Sequence, residues 1–448
     1  MTTTEPYPMW SPVASDGHGP RRPFGGRVVR RSRLPAHRVT TAHLQAAYPF
    51  IAEGGLGARG TYIGRDLFGG SFCFDPWELY GAGLLTNPNI LVIGSIGSRK
   101  STLVKTLLYR QYAFGRQAWI ADPKGEYGPL AAACGAQVIR QAPGLGRVLN
   151  PLDTAVDARR APTEVLQRRL ELLQALLATT LGRDLAPVES AACELALSAV
   201  TEAVPTLPDV AASLLDPTRE SAAAVRMTGP ALAEASRDVA LALRRLCTGD
   251  LAGMFDGRTT IDVDLDGPMV VLDLSEVYTH HGAALPLVMT CATAWLQATT
   301  AAPTADPRPQ RFHVNEEAWA TLSSVSLARW QQQSYKLARK HGVANIAVLH
   351  RLSDLTAAGA AGSEQVALAR GLLEDAGTRV VYAQPYGEIK AARELLGLTD
   401  TEAELLPQLP PGTALWKVGR RSFVVEHRLG GHEREIVDTD VAMRAVGS

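Results

Sequence analysis

Short apolar runs alternate with longer amphipathic segments along most of this chain. The runs are rich in β-branched side chains, which favours buried strands, whereas the longer segments carry apolar residues at helical spacing. The predicted strands span residues 89–93, 117–121, 137–140, 259–263, 269–273, 311–315, 344–349, 379–382, 414–418 and 422–428. Strands that alternate with helices in this way predict an α/β fold.

The segment after the third predicted strand follows a different pattern. Its Ala- and Leu-rich runs have a helical period, are separated by prolines and show no strand-like alternation. These runs span residues 163–181, 187–204 and 231–247. We therefore predict an all-helical insertion over residues 156–256, large enough to bury a small core of its own, within a core formed by residues 89–155 and 257–440.

The chain before the first core strand divides into two parts. Residues 1–38 are rich in Pro, Gly and Arg without a hydrophobic period, so we predict a disordered basic tail. The arginines fit a solvated tail and equally an arm that contacts anionic lipid or nucleic-acid phosphates. Residues 39–88 are predicted to pack on the core, with a strand and turn at 60–74, and residues 441–448 to form a C-terminal tail.

The charge balance, the cysteines and the apolar segments of the chain limit the classes of protein to which it could belong. The 448-residue chain has 45 basic and 45 acidic residues, so no net charge draws the whole molecule to nucleic acid or membrane. Five scattered cysteines without a C-x-x-C pair indicate reduced thiols rather than a disulfide framework or a zinc site. The most apolar helix candidate, 283–300, is interrupted by Pro286 and polar residues, and no signal-peptide pattern is visible. We expect a cytoplasmic protein whose membrane contacts are peripheral.

One stretch carries a specific chemistry. Residues 94–101 read Gly-Ser-Ile-Gly-Ser-Arg-Lys-Ser between a predicted strand and an amphipathic helix. At every position but one this matches the P-loop pattern G-x-x-x-x-G-K-[ST]. In a P-loop, backbone N–H groups cradle phosphates, the Lys contacts the β and γ oxygens and the hydroxyl binds Mg²⁺. The predicted phosphate-binding residues are Gly94, Ser95, Ile96, Gly97, Ser98, Arg99, Lys100, Ser101 and Thr102.

Arg99 departs from this pattern, because the P-loop pattern has glycine at its position. Glycine lets the backbone approach the phosphates closely. An arginine must turn its side chain outward or add positive charge beside the phosphates. Alternating strands and helices around such a loop predict a RecA-like P-loop NTPase core with the inserted all-helical subdomain.

Acidic residues follow two other predicted strands. Asp122 and Glu126 lie in the segment Asp-Pro-Lys-Gly-Glu-Tyr after the second strand, and Glu316 and Glu317 end the run before Ala318-Trp319. Ligands bind at the carboxyl ends of parallel strands. Adjacent carboxylates suit two tasks there, since one can enter the Mg²⁺ shell while the other polarises the attacking water. We interpret Asp273, which ends another strand, as part of an ordinary core strand.

In order and spacing these motifs resemble the HerA/FtsK superfamily, and most closely the VirB-four/TraC/TrbE-type ATPases of conjugation and type IV secretion. The resemblance rests on the P-loop, the Asp-Pro-Lys-Gly-Glu-Tyr segment, Glu-Glu-Ala-Trp at 316–319, Ala-Arg-Lys-His-Gly at 338–342 and the strand that leads to His350. It covers about residues 40–440. It implies that ATP and Mg²⁺ are the ligands, with Asp122 and Glu126 beside the ATP.

The resemblance also implies a role for each matched residue. Lys100 neutralises the β and γ phosphates. Ser101 and Glu316 hold Mg²⁺, with Glu316 at a position where the family has Asp. Glu317 matches the catalytic glutamate.

Two further matches concern the sensing of ATP. Arg339 aligns with an arginine that reaches the ATP of the neighbouring subunit as a finger, although an arginine at a helix C-terminus also fits a simple interaction with the helix dipole. His350 stands where relatives carry a glutamine that senses the γ-phosphate.

The function that follows from the resemblance is a homo-hexameric ATPase that energises DNA or protein transfer through a conjugation or type IV secretion system. Its partners would be membrane-embedded components of that system and DNA, with peripheral contact to the inner face of the cell membrane through the Arg-rich tail. Two alternatives stay open. One is a free HerA/FtsK-like DNA translocase, and the other is a degenerate nucleotide-binding scaffold in which Arg99 has ended hydrolysis.

Overall fold

The computed structural model forms two compact units, residues 1–52 and residues 53–448. The structure describes residues 21–22, 25–27, 55–57, 59–153, 161–200, 204–264, 266–300, 309–322, 324–338, 342–352 and 364–437. In the first unit, β1 (Arg21–Arg22) pairs antiparallel with β2 (Gly25–Arg27). These residues of the predicted disordered tail are paired, and the rest of that tail lies outside the described residues.

A mixed sheet of eleven described strands organises the second unit, in the order β4-β3-β13-β12-β11-β5-β10-β9-β6-β8-β7. The strands from β11 to β7 are parallel, and β12, β13, β3 and β4 extend the sheet antiparallel. The strands are β3 (Thr61–Asp66), β4 (Ser71–Phe74), β5 (Ile90–Ile93), β6 (Gln117–Asp122), β7 (Gln137–Arg140), β8 (Met269–Asp273), β9 (Arg311–Asn315), β10 (Val343–Leu349), β11 (Thr378–Val381), β12 (Thr413–Val418) and β13 (Arg421–His427).

Helices cover both faces of this sheet. Those of the core are α1 (Pro76–Gly81), α2 (Lys100–Tyr112), α3 (Gly128–Ala133), α10 (Ser275–His280), α11 (Leu285–Thr300), α12 (Val325–Ala338), α13 (Glu364–Glu374), α14 (Ile389–Leu396), α15 (Asp400–Leu405) and α16 (Glu433–Val437). Between β7 and β8 lie α4 (Pro162–Leu181), α5 (Pro187–Ala199), α6 (Leu207–Leu215), α7 (Arg219–Ala224), α8 (Gly229–Ala235) and α9 (Arg237–Cys247).

The helical insertion shares its core with the sheet. Buried side chains of the insertion, such as Leu173 and Leu243, belong to the same apolar cluster as Trp119 of β6 and Leu272 of β8. Local chemistry defines the ends of its helices. Pro162 opens α4, Gly182 ends it in a left-handed conformation, and a capping box of Thr206 and Asp209 starts α6. The insertion is therefore continuous with the core rather than built around a separate one.

Two local predictions differ from the structure. Residues 259–263 do not form a strand, because they meet the edge strand β7 through a side chain rather than a backbone ladder: Gln137 Nε2 donates to Asp262 O at 2.9 Å. The strand and turn predicted at 60–74 form two strands, β3 and β4, which belong to the sheet itself.

No helix in the described part of the chain is long and apolar enough to cross a membrane. The apolar segment at 283–300 contributes α11, whose Val288, Met289 and Cys291 are buried in the core. Its interpretation as a core helix agrees with this burial.

Candidate functional site

The P-loop emerges from the middle of the parallel part of the sheet. β5 lies between β10 and β11, and the loop at 94–99 connects its carboxyl end to α2. Gly94 is required here, since an added Cβ would lie 2.5 Å from the Tyr382 Cβ and 2.7 Å from the Ser98 Oγ. Ser95 Oγ donates to Ala383 O at 3.4 Å, which ties the loop to the end of β11.

Arg99 takes a left-handed backbone conformation at the start of α2, with φ 74°. A non-glycine residue in this region costs about 1–2 kcal/mol, which is why glycine is the usual occupant. The side chain is exposed and turns toward β12, since a Cβ built on Gly412 would lie 3.4 Å from Arg99 Nη1. Of the two arrangements considered for this arginine, the structure has the outward one.

Lys100 is buried against the loop. Its Nζ donates to Gly94 O at 2.5 Å and to Ser95 O at 3.0 Å, and it lies 3.1 Å from His350 Nδ1. Burial lowers the pKa of Lys100 to about 8, with Lys124 acting in the same direction and the nearby glutamates against it. The ammonium group therefore lies inside the loop, where it could contact a bound phosphate.

Glu317 is held by three side chains. Lys124 Nζ forms an ion pair with Oε1, His350 Nε2 lies 2.6 Å from the same oxygen, and Trp319 Nε1 donates to Oε2 at 2.5 Å. Burial alone would raise the pKa of Glu317, but the bonds from His350 and Lys124 lower it to about 2. The carboxylate is ionised over the whole physiological range.

His350 connects Lys100 to Glu317. A neutral imidazole has one donor and one acceptor nitrogen. The ionised Glu317 carboxylate can only accept, so Nε2–H donates to Oε1 and Nδ1 accepts from Lys100. The ammonium of Lys124, 3.2 Å from Nε2, then faces another donor. The P-loop lysine and the predicted catalytic carboxylate are thus joined through one ring.

Glu316 points to a different partner. The Tyr127 hydroxyl donates to Glu316 Oε1 at 2.5 Å, and both side chains are buried. Burial raises the pKa of Glu316 to about 7, against the effect of the Tyr127 bond, and it also raises that of Tyr127. A cation beside Glu316 would stabilise its ionised form.

The Asp122 carboxylate shapes the loop that follows β6. It accepts from Lys124 N at 3.2 Å and from Tyr127 N at 2.9 Å, so it orients the two residues that contact the glutamates. Burial raises the pKa of Asp122, although these bonds oppose the shift. Glu126, in the same loop, lies 3.5 Å from Nζ of the fully buried Lys105.

Comparison with solved structures gives matches over most of the chain. VirB4 of Thermoanaerobacter pseudethanolicus matches with a TM-score of 0.68 and 22% identity, over 85% of this chain and 100% of that chain. The bacterial conjugative coupling protein TrwBdeltaN70, in its unbound monoclinic form, matches with a TM-score of 0.54 and 17% identity, over 76% and 85% of the two chains. The plasmid coupling protein TrwB in complex with ADP and Mg²⁺ matches with 0.53 and 17%, over 78% and 87%.

This chain has the P-loop NTPase fold of VirB4 and TrwB. The predicted fold class is confirmed, as is the structural likeness to this group of ATPases. No protein-family model and no curated protein matches the sequence.

Within this VirB4-like fold, most of the predicted site residues come together. Lys100, His350 and Glu317 form one bonded chain, and Glu316 lies next to it. Ser101 and Thr102 occupy the first turn of α2 and are half-buried. Arg339 lies outside the described residues, so its predicted role stays a prediction.

Sequence reasoning missed Lys124 and Tyr127. Both lie in the quoted segment at 122–127, but only its acidic residues were considered. Their position in the sequence could have identified them, because both follow closely after the carboxyl end of β6, and ligands bind at the carboxyl ends of parallel strands. Their partners, Glu317 and Glu316, follow β9, which lies directly beside β6.

The site fits a nucleotide phosphate. Ser98 Oγ is buried and has no hydrogen-bond partner among the described residues, and Lys100 bonds to the loop's own carbonyls. Gly94 keeps the loop free of a side chain that would fill it. No group of three or more His, Cys, Asp or Glu suited to a metal occurs in the part of the chain that the structure describes. A Mg²⁺ site here would combine side-chain oxygens with phosphate oxygens.

Proposed function

We propose that this protein is a Mg²⁺-dependent ATPase that powers the transfer of DNA or protein in a conjugation or type IV secretion system. The observation that carries the proposal is the bonded chain from Lys100 through His350 to Glu317 beside the P-loop. The Lys100 ammonium and the ionised Glu317 carboxylate lie on two sides of the His350 imidazole, which supports a phosphate-binding role for the first and a catalytic role for the second.

In this proposal Lys100 binds the β and γ phosphates. Ser101 and Glu316 are the residues that would hold Mg²⁺, and the ion supplies charge neutralisation on the phosphates when bound. Gly94 to Ser98 contribute backbone N–H groups and the Ser98 hydroxyl, which has no other partner among the described residues. Asp122 and Glu126 act indirectly, through Lys124 and Lys105.

Hydrolysis would use Glu317 as the proton acceptor. The oxygen of water forms a bond to the γ phosphorus while the bond from phosphorus to the β–γ bridging oxygen breaks, and that electron pair stays on ADP. The proton leaves the water for the Glu317 carboxylate. His350 orients the Glu317 carboxylate through a hydrogen bond from Nε2, and its Nδ1 accepts a hydrogen bond from Lys100.

The likeness to VirB4 and to a conjugative coupling protein supports a role in transfer, and the TrwB complex with ADP and Mg²⁺ supports the choice of ligands. A homo-hexamer, the finger role of Arg339, membrane-embedded partners, DNA as cargo and peripheral contact through the Arg-rich tail belong to the same proposal.

The test is ATP hydrolysis measured against protein concentration, for wild type, Lys100→Ala and Glu317→Gln, with and without DNA. We expect cooperative turnover in wild type and at least about a 100-fold loss in both variants. DNA stimulation of the isolated protein would favour the free translocase. ATP binding without turnover in wild type at any concentration would replace the motor by the scaffold, the alternative that Arg99 motivates.

A further inference from the structure

The Glu317 carboxylate has little capacity left for a water molecule. Lys124 and His350 both occupy Oε1, and Trp319 occupies Oε2. A carboxylate offers about four acceptor positions, so three donors nearly saturate it. A general base must bond the water that it deprotonates. One acceptor position remains for water, and loss of any of the three contacts would open a second position and make the carboxylate a stronger base.

The backbone of Glu317 indicates that these contacts hold it in place. Its φ is 55°, in the left-handed region that a non-glycine residue adopts rarely and at an energetic cost. Such conformations persist where the surroundings over-determine them, and they concentrate at active sites and switches. The bonds from Lys124, His350 and Trp319 are part of the surroundings that maintain this conformation.

Lys124 is a cationic contact of Glu317 that a ligand can reach. Its side chain is 27% exposed and that of His350 is 21% exposed, whereas that of Glu317 is 2% exposed. Lys124 Nζ also lies 3.2 Å from His350 Nε2, while Lys100 Nζ lies 3.1 Å from His350 Nδ1. The two lysines thus flank one imidazole, and both face the same site.

Two ammonium groups held this close favour a polyanion beside them. We propose that the terminal phosphate of a bound nucleoside triphosphate takes Lys124 away from Glu317, so that the substrate itself frees the carboxylate. A nucleoside diphosphate lacks that phosphate and leaves the pair intact. This inference rests on the proposed function. The exchange replaces one ion pair by another and neither makes nor breaks a covalent bond.

A double-mutant cycle on nucleotide affinity tests the exchange. Dissociation constants for ADP and for a non-hydrolysable ATP analogue, each with Mg²⁺, are measured by calorimetry for wild type, Lys124→Met, Glu317→Gln and the double variant. Breaking the pair costs affinity only when both partners are present. We therefore expect Glu317→Gln to strengthen analogue binding about tenfold more with Lys124 than with Met at this position. For ADP, Glu317→Gln should change the affinity equally whether residue 124 is Lys or Met.

The controls separate this inference from the proposed function. In a matched control cycle, Lys390→Met takes the place of Lys124→Met. Because Lys390 is exposed, its substitution should show no coupling to Glu317 for either nucleotide. Lys124→Gln replaces Lys124→Met if the methionine variant shows no cooperative thermal unfolding transition and is therefore not folded. Absence of coupling in a wild-type protein that binds both nucleotides overturns the exchange alone, as does equal coupling for ADP. A wild-type protein that binds neither nucleotide overturns the proposed function as well.

Discussion

The Tyr127 hydroxyl donates a 2.5 Å hydrogen bond to Glu316 Oε1, which joins the loop after β6 to the turn after β9, 189 residues apart in the sequence. Both side chains are buried, so neither group has water as an alternative partner. The bond therefore contributes to stability as well as to the position of the carboxylate.

Tyr127→Phe should destabilise the protein, because it leaves a buried carboxylate short of a donor. We expect the free energy of unfolding to fall by about 1–3 kcal/mol. Urea denaturation followed by circular dichroism measures the change. Tyr278→Phe, at a half-exposed position of α10, is the matched control and should stay within about 0.5 kcal/mol of wild type. Equal effects of the two substitutions would contradict a structural role for this bond.

Arg99→Gly should be more stable than Arg99→Ala. Both variants remove the guanidinium, but only glycine adopts the left-handed φ of 74° without steric cost. We expect a difference of about 1 kcal/mol in the free energy of unfolding, after the greater entropy of glycine in the unfolded chain is included. Chemical denaturation of the two variants side by side measures it. If alanine proves as stable as glycine, the backbone conformation assigned to residue 99 is wrong.

His350→Gln and His350→Leu should separate the bridging role of this residue from its volume. Glutamine has a donor and an acceptor and can still link Lys100 to Glu317, whereas leucine has neither. We expect His350→Leu to lower kcat roughly 10- to 100-fold with a smaller change in KM, and His350→Gln to keep most of the activity. Steady-state ATP hydrolysis is the measurement. A leucine variant with wild-type kcat would rule out the bridge.

His427 should make stability depend on pH. Burial, together with the positive charges of Arg110 and Arg99, lowers the pKa of His427 to about 4, although Glu433 opposes the shift. Its Nε2 has no partner among the described residues. Between about pH 6.5 and pH 4 the unfolded chain binds a proton that the folded protein does not, so stability falls as the pH is lowered through this window.

The expected loss across that window is about 3 kcal/mol, from a pKa difference of about 2.5 units. His427→Gln cannot titrate and should lack this part of the slope. Thermal or urea unfolding at several pH values, for wild type and variant, isolates the contribution of the one side chain. Parallel pH profiles for the two proteins would contradict it.

The sequence predicted the P-loop and the pair of glutamates because each lies in a local pattern with a chemical meaning. It did not predict that Lys124 meets Glu317 or that Tyr127 meets Glu316. Those contacts require β6 to lie beside β9, and the pairing of Ala121 with Asn315 brings the two strand ends together. Strand order is a property of the whole sheet that the local periodicity of one strand does not contain.

The wrong strand at 259–263 has the same origin. Ile261 and Val263 alternate with polar residues as in a strand, and they pack against the apolar cluster of the insertion. A strand also needs a ladder of backbone bonds to a neighbour, and here Gln137 of the edge strand β7 bonds the segment through its side chain instead, with Nε2 donating to Asp262 O. The apolar alternation thus correctly predicted that Ile261 and Val263 pack against the core, but it wrongly predicted that the segment pairs as a strand.

The shared core of insertion and sheet determines how a force on the helical insertion reaches the strands. Protein interiors are closely packed and transmit strain with little compression. Among the described residues, Leu173 and Leu243 pack in one cluster with Trp119 and Leu272, so the helices share a packed interior with strands β6 and β8. A load applied to the helical surface is therefore passed directly to the strands that end at Asp122 and Asp273, two positions at the edge of the candidate site.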